Sequence, residues 1–172
     1  MKQSAYQYAL YLLSAQDYSE FKLRQKLRLK QFEQTEIDET LTKLIEKNYL
    51  REEEYKRLLA RRWIAKGYSD SMIKRRGEQE DLTYESTELT EWREDVGSNT
   101  GDVIEKLVQK KMRGQTVPTD RLAKQKLREK VSRFLLSKGY GYDEVRRAVD
   151  SAFKARDKSD ETGSSSSLDA DL

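Results

Sequence analysis

The sequence predicts an all-α protein: an elongated tandem array of three three-helix repeats, with a disordered C-terminal tail. Three observations predict it. Breakers are scarce, with Pro118 the single proline and only 8 glycines in 172 residues, while Leu, Lys, Arg, Glu and Gln are plentiful. Apolar residues recur at helical spacing in short stretches separated by polar turns. A phrase also repeats: Gln16-Asp17-Tyr18-Ser19, Lys66-Gly67-Tyr68-Ser69 and Lys138-Gly139-Tyr140-Gly141. Five residues after each tyrosine stands Leu23, Ile73 or Val145, followed by the basic Arg24, Lys74 or Arg146. Repeated helical units predict an extended array with a long outer surface.

The first repeat is expected over residues 1–50. Ala5, Ala9, Leu12 and Leu13 share one helical face. Ser19 is placed to cap a second helix carrying Phe21, Leu23 and Leu27. Thr35-Glu36-Ile37-Asp38 reads as a capping box for a third helix with Ile37, Leu41, Leu44 and Ile45, and Asn48 stops it.

The second repeat, residues 51–96, opens with Glu52-Glu53-Glu54, acids that suit the positive end of a helix dipole. Tyr55, Leu58, Leu59 and Trp63 form its first stripe. Gly67 ends that helix and Ser69 caps the next, which holds Met72 and Ile73. Residues 78–101 carry a weak apolar signal, Leu82, Tyr84, Leu89, Trp92 and Val96 among many acids. They predict a short or frayed helix, then a loop at Gly97-Ser98-Asn99.

The third repeat, residues 97–157, begins with Val103, Ile104, Leu107, Val108 and Met112. Thr119 is expected to cap a long helix with Leu122, Leu127, Val131, Phe134 and Leu135. Val145, Ala148, Val149, Ala152 and Phe153 mark the last helix. Residues 158–172 are too polar to bury a core and predict the disordered tail.

Composition excludes several functions. The chain has no cysteine and no histidine, so thiol chemistry, a zinc site and a histidine relay are not available. Neither G-x-x-x-x-G-K-[ST] nor G-x-G-x-x-G occurs. Carboxylate pairs such as Glu52 with Glu54 follow from acid abundance and suggest no dry pocket. We expect no enzyme activity, no catalytic residue, no metal and no cofactor. No apolar run is long enough to span a membrane, and a cytoplasmic monomer is expected.

Charge is arranged in blocks. Residues 1–77 hold 17 basic and 11 acidic side chains, residues 78–95 hold 1 and 8, and residues 102–157 hold 15 and 8. Basic blocks flanking an acidic patch suit a polyanionic or mixed-charge partner. The candidate contact residues are Lys22, Arg24, Lys26 and Arg28 in the first repeat. In the second they are Arg61, Arg62, Lys74, Arg75 and Arg76. In the third they are Lys124, Lys126, Lys130, Arg133, Arg146 and Arg147. Arg128 and Lys30 lie on the same stripes. Lysine and arginine neutralise phosphates in a sequence-tolerant, salt-dependent way. The opposing reading is that they pair at i, i+4 with neighbouring acids. The repeated tyrosines are read as packing across the helix junctions, not as binding groups.

Ala9-Leu10-Tyr11-Leu12-Leu13-Ser14, with Tyr18-Ser19, Leu23-Arg24-Gln25-Lys26-Leu27 and Asn48-Tyr49-Leu50, resembles the opening module of the RecX regulators. Tyr55 to Arg75 resembles their second module, and Lys124 to Val149 their third. The acidic segment 78–101 departs from the family pattern. The resemblance implies a negative modulator of the RecA recombinase, lying in the groove of the RecA–DNA filament. It also implies inhibition of ATPase, strand-exchange and co-protease activities in DNA repair and the SOS response. DNA contact is implied mainly through the filament. A stand-alone helical protein that binds single- or double-stranded DNA is the alternative.

Overall fold

The computed structural model describes residues 3–163, and all the regular structure among them is helical. The helices are α1 (Ala5–Ala15), α2 (Glu20–Leu29), α3 (Gln34–Glu46), α4 (Glu52–Ala65), α5 (Asp70–Glu78), α6 (Ser86–Asp95), α7 (Thr100–Met112), α8 (Arg121–Ser137) and α9 (Tyr142–Gly163). The chain divides into two compact units, Met1–Trp63 with Ile73–Trp92, and Ile64–Met72 with Arg93–Leu172. The second unit takes Ile64–Met72 together with α7, α8 and α9. Helix α9 runs to Gly163, and residues 164–172 of the expected tail lie outside the described residues.

In the first unit Ala5 and Ala9 of α1, Leu23 and Leu27 of α2, and Ile37, Leu41 and Leu44 of α3 close one core, with Tyr18 and Leu50. Burying each aliphatic side chain contributes about 1.5–3 kcal/mol before conformational entropy is subtracted. The helix starts are capped, partly by residues the sequence singled out. Ser19 accepts from the Lys22 amide at 3.2 Å, as expected. Two carboxylates from other helices add caps: Glu52 accepts from the Glu20 amide at 2.8 Å, and Glu36 from the Ala5 amide at 2.8 Å.

The expected capping box at Thr35 does not form. Helix α3 begins two residues earlier, after Glu33, which makes no side-chain cap, because the chain turns sharply at Gln31 (φ 62°). The capping box belongs to Ser4 and Gln7, at the start of α1. Asn48, with φ 56°, ends the α3 region as expected.

The acidic segment forms a complete helix, α6. Its signal is weak because α6 buries few apolar residues, and the rest sit in the preceding turn. Leu82, Tyr84, Leu89 and Trp92 are all buried, whereas Val96 is exposed. Trp63, Tyr84 and Trp92 meet edge to face at 5.9 and 6.1 Å. Lys56 lies over the Tyr84 and Trp92 rings and pairs with Glu88 at 2.7 Å. Burial of Glu88 pushes its pKa up, but Lys56 and the Glu85 amide outweigh it and hold the carboxyl below its ordinary value.

In the second unit Ile104, Val108 and Met112 of α7 pack with Leu127, Val131 and Leu135 of α8 and with Val145, Val149 and Phe153 of α9. Asp120, not Thr119, caps α8, accepting from the Ala123 amide at 2.7 Å. Leu122, expected on the buried stripe, is exposed.

Two copies of the repeated phrase bind each other here. Ser69 N–H donates to the Lys138 carbonyl at 3.0 Å. The hydroxyls of Ser69 and Ser71 donate to the Gly139 carbonyl at 2.7 and 2.9 Å. Lys138 returns a bond to the Lys66 carbonyl at 2.9 Å and covers the Tyr68 ring at 4.4 Å. Gly139 is required twice over. Its φ is 89°, and a Cβ there would lie 2.6 Å from Met72 Cβ and from Ser69 Oγ.

Candidate binding surface

Helix α2 carries the first predicted cluster at the spacing the sequence implied, but most of it is engaged within the unit. Lys22 pairs with Glu80 at 2.5 Å. The same Glu80 accepts from the Tyr55 hydroxyl at 2.8 Å, and burial followed by Glu80 raises the tyrosine's pKa. Arg24 forks between Asp38 of α3 and Glu20, the latter at 2.9 Å. Those two carboxylates, Asp38 first, raise its pKa further. Arg28 donates to Gln34 Oε1 at 3.2 and 3.0 Å. Lys26 is exposed, its ammonium 6.0 Å from the Tyr18 ring centroid.

In the second cluster Arg61, Arg62 and Arg75 are exposed, and Arg76 is half-buried. Lys74 donates to Ser86 Oγ at 2.7 Å. Arg24, Lys74 and Arg146 share one register, each the fifth residue of its helix. They do not share a place in the helix triplets. Arg24 lies on the second helix of the first core, whereas Arg146 lies on the last helix of the α7–α9 core, because the third phrase joins α8 to α9. A one-helix offset is invisible to a motif that marks only a junction.

Of the third cluster, Arg133 and Arg146 border one groove. Along α8 and α9, Gln125, Arg128, Glu129, Ser132, Arg133, Tyr142, Arg146 and Asp150 border an open groove of about 750 Å³ over Val145 and Val149. Arg128 is held by Asp150 and lies 5.1 Å from the Phe153 ring. Arg146 is 4.0 Å from the other Asp150 oxygen, its side chain 72% exposed. Tyr142 is 72% exposed at the groove edge. Guanidinium forks beside Ser, Gln and Tyr donors suit anionic oxygens, carboxylate or phosphate.

Lys126 and Lys130 are exposed on α8, and Lys124 is half-buried, but none of the three borders this groove. Arg147 borders a separate cleft with Glu105, Glu144 and Tyr140. Tyr142, Gln125 and Ser132 border the groove without belonging to a basic stripe. The spacing 125, 128, 129, 132 along α8 was the available signal. Among the described residues, no group of acidic side chains could hold a metal ion and no helix is long and apolar enough to cross a membrane.

Fold and surface together define a class: an all-helical protein of three-helix domains with exposed arginines. Known proteins place it more closely. Residues 5–44 match the family model described as RecX, first three-helix domain, and residues 102–149 match RecX, third three-helix domain. The regulatory protein RecX of Haemophilus influenzae (strain PittEE) is 29% identical over 154 residues, covering 84% of this chain and 91% of that protein. The regulatory protein RecX of Vibrio cholerae serotype O1 (strain ATCC 39541) is 40% identical over 68 residues, 40% of this chain and 45% of that one. The crystal structure of RecX from Lactobacillus salivarius superposes with a TM-score of 0.62 at 19% identity, covering 86% of this chain and 93% of that chain, and so shares the fold. The chain belongs to the RecX family.

Proposed function

We propose that this protein is a negative regulator of the RecA recombinase. It binds the groove of the RecA–DNA filament as a cytoplasmic monomer and inhibits ATPase, strand-exchange and co-protease activities in DNA repair and the SOS response. The observation that carries this reading is the pair of RecX domain matches, in order, on a chain that covers 91% of the Haemophilus influenzae relative. The α8–α9 groove supports it, because a filament of protein and DNA offers both carboxylates and phosphates to guanidinium groups. RecA ATPase on single-stranded DNA, measured with substoichiometric additions of the full chain, tests the proposal, and inhibition is the expected result.

A second reading, direct DNA binding without recombinase, draws on one observation. Lys26, Lys126 and Lys130 are exposed and, among the described residues, make no ion pair. It predicts a log–log salt slope of about −0.7 per phosphate neutralised on single strands. Charge reversal at Lys126 and Lys130 separates the readings: lost DNA affinity with intact filament inhibition favours regulation of RecA.

A further inference from the structure

In the first unit, α1 and the end of α2 build a surface that regulation of RecA does not explain. Tyr8 and Tyr11 stand one turn apart on α1, their rings stacked at 6.4 Å with an interplanar angle of 24°. Phe32, just after α2, lies 6.1 Å from Tyr8. The Lys30 ammonium sits 5.4 Å from the Tyr8 ring centroid, and Lys26 one turn earlier sits 6.0 Å from Tyr18. Among the described residues neither lysine takes part in an ion pair, although Glu33 follows Phe32 directly in the chain.

Core packing explains part of this. Tyr8 and Phe32 are half-buried against the α1–α3 core and cover its rim. It does not explain Tyr11, which is 65% exposed and whose ring meets Tyr8 on the outside of α1. An isolated exposed tyrosine is ordinary. One that extends a stacked aromatic row bordered by uncompensated ammonium groups has a specific chemistry. Aromatic faces accept any unpaired base, and cations within a few ångströms of those faces can meet the phosphates that connect successive bases. A duplex keeps its bases stacked internally and offers such a row nothing but phosphate. An apolar protein partner would use the rings but would leave both lysines without a counter-charge.

We propose that Tyr11, Tyr8 and Phe32, with Lys26 and Lys30, form a stacking platform for unpaired nucleotides of a single-stranded nucleic acid. The platform acts independently of the RecA reading, so either can fail while the other stands.

The test is fluorescence anisotropy of the full chain with a labelled oligo-dT strand and with a duplex of the same length, at fixed salt. Tyr11→Ala is expected to weaken single-strand binding about tenfold and to leave duplex binding within about twofold. Tyr11→Phe keeps the ring and is expected to keep the affinity. Tyr11 is exposed, so an unchanged urea midpoint checks that the fold is intact. The proposal is overturned if the wild-type chain does not bind the single strand, or if Tyr11→Ala binds it as tightly as wild type. It is equally overturned if strand and duplex lose affinity alike. Loss of RecA ATPase inhibition with oligo-dT binding unchanged assigns the face to a protein partner instead, and also overturns it.

Discussion

The hydroxyl of Ser69 donates to the carbonyl of Gly139 at 2.7 Å and accepts from the Met72 amide at 3.3 Å. One side chain thus caps α5 and fastens the second copy of the repeated phrase to the third. Ser69 is 7% exposed, so removing its oxygen leaves the Met72 amide without its cap, while the Gly139 carbonyl keeps the Ser71 hydroxyl at 2.9 Å. Ser69→Ala is expected to lower stability by about 1–2 kcal/mol, read from urea unfolding followed by circular dichroism.

Gly139→Ala is expected to be worse. The new methyl group would meet Met72 Cβ and Ser69 Oγ at 2.6 Å on a backbone with φ 89°. Strain and overpacking together cost about 2–4 kcal/mol. Gly114→Ala is the control, since φ is 71° there but nothing lies within 4 Å of the added carbon. Its cost is expected to stay at about 1–2 kcal/mol, the backbone term alone. Equal losses at the two glycines would show that the contact between phrases contributes nothing.

Arg93 is 4% exposed and donates to Asp70 and to the Tyr68 carbonyl, both at 2.7 Å. Among the described residues, its Nη1 and the Tyr140 hydroxyl are buried without a hydrogen-bond partner. Asp70→Ala leaves the guanidinium with less compensation and is expected to cost about 1–3 kcal/mol, the Asp70 side chain being partly solvated. The same urea series measures it.

Charge reversal distinguishes internal from outward-facing arginines. Arg24→Glu would oppose Asp38 and Glu20, and is expected to reduce the urea midpoint as well as any activity. Arg133→Glu with Arg146→Glu changes exposed groups bordering the α8–α9 groove. That pair is expected to leave stability within about 0.5 kcal/mol of wild type each and to weaken RecA inhibition at least tenfold. The reverse pattern would remove the groove from the binding surface.

Acid titration carries opposite signs at two carboxyls. Asp38 is held below its ordinary pKa of 3.8 by the Gln34 amide and by Arg24. Its contribution is full above pH 3.8 and is lost as pH falls through its lower folded value. Burial raises Glu52 above its ordinary 4.5, against the pull of the Glu20 amide it caps. Ionising Glu52 therefore removes stability as pH rises from 4.5 through its folded value. Glu52→Gln keeps an acceptor for that amide and is expected to abolish this fall in urea midpoints between pH 4 and 7.

Much of the fold was legible because it is local. Ser19 and Ser69 cap the helices they precede, and Gly67 and Gly139 adopt positive φ at helix ends, as spacing alone implied. Helix α6 was harder to read, because the Trp63–Tyr84–Trp92 cluster and the lysine over it supply packing that no periodicity within α6 records. The site was less legible still. Arg24 looked free until the fold brought Asp38 of α3 beside it, and Arg146 looked equivalent to Arg24 until α9 proved to close a different triplet. Basic stripes identify helices with surplus charge, and only tertiary packing tells which charges are already used.

Substoichiometric inhibition of RecA ATPase on single-stranded DNA tests the central claim most directly. The account predicts that the wild-type chain suppresses hydrolysis well below one molecule per RecA protomer, and that the Arg133→Glu, Arg146→Glu variant needs at least tenfold more protein for the same effect. Unaltered hydrolysis at stoichiometric wild-type protein would contradict it.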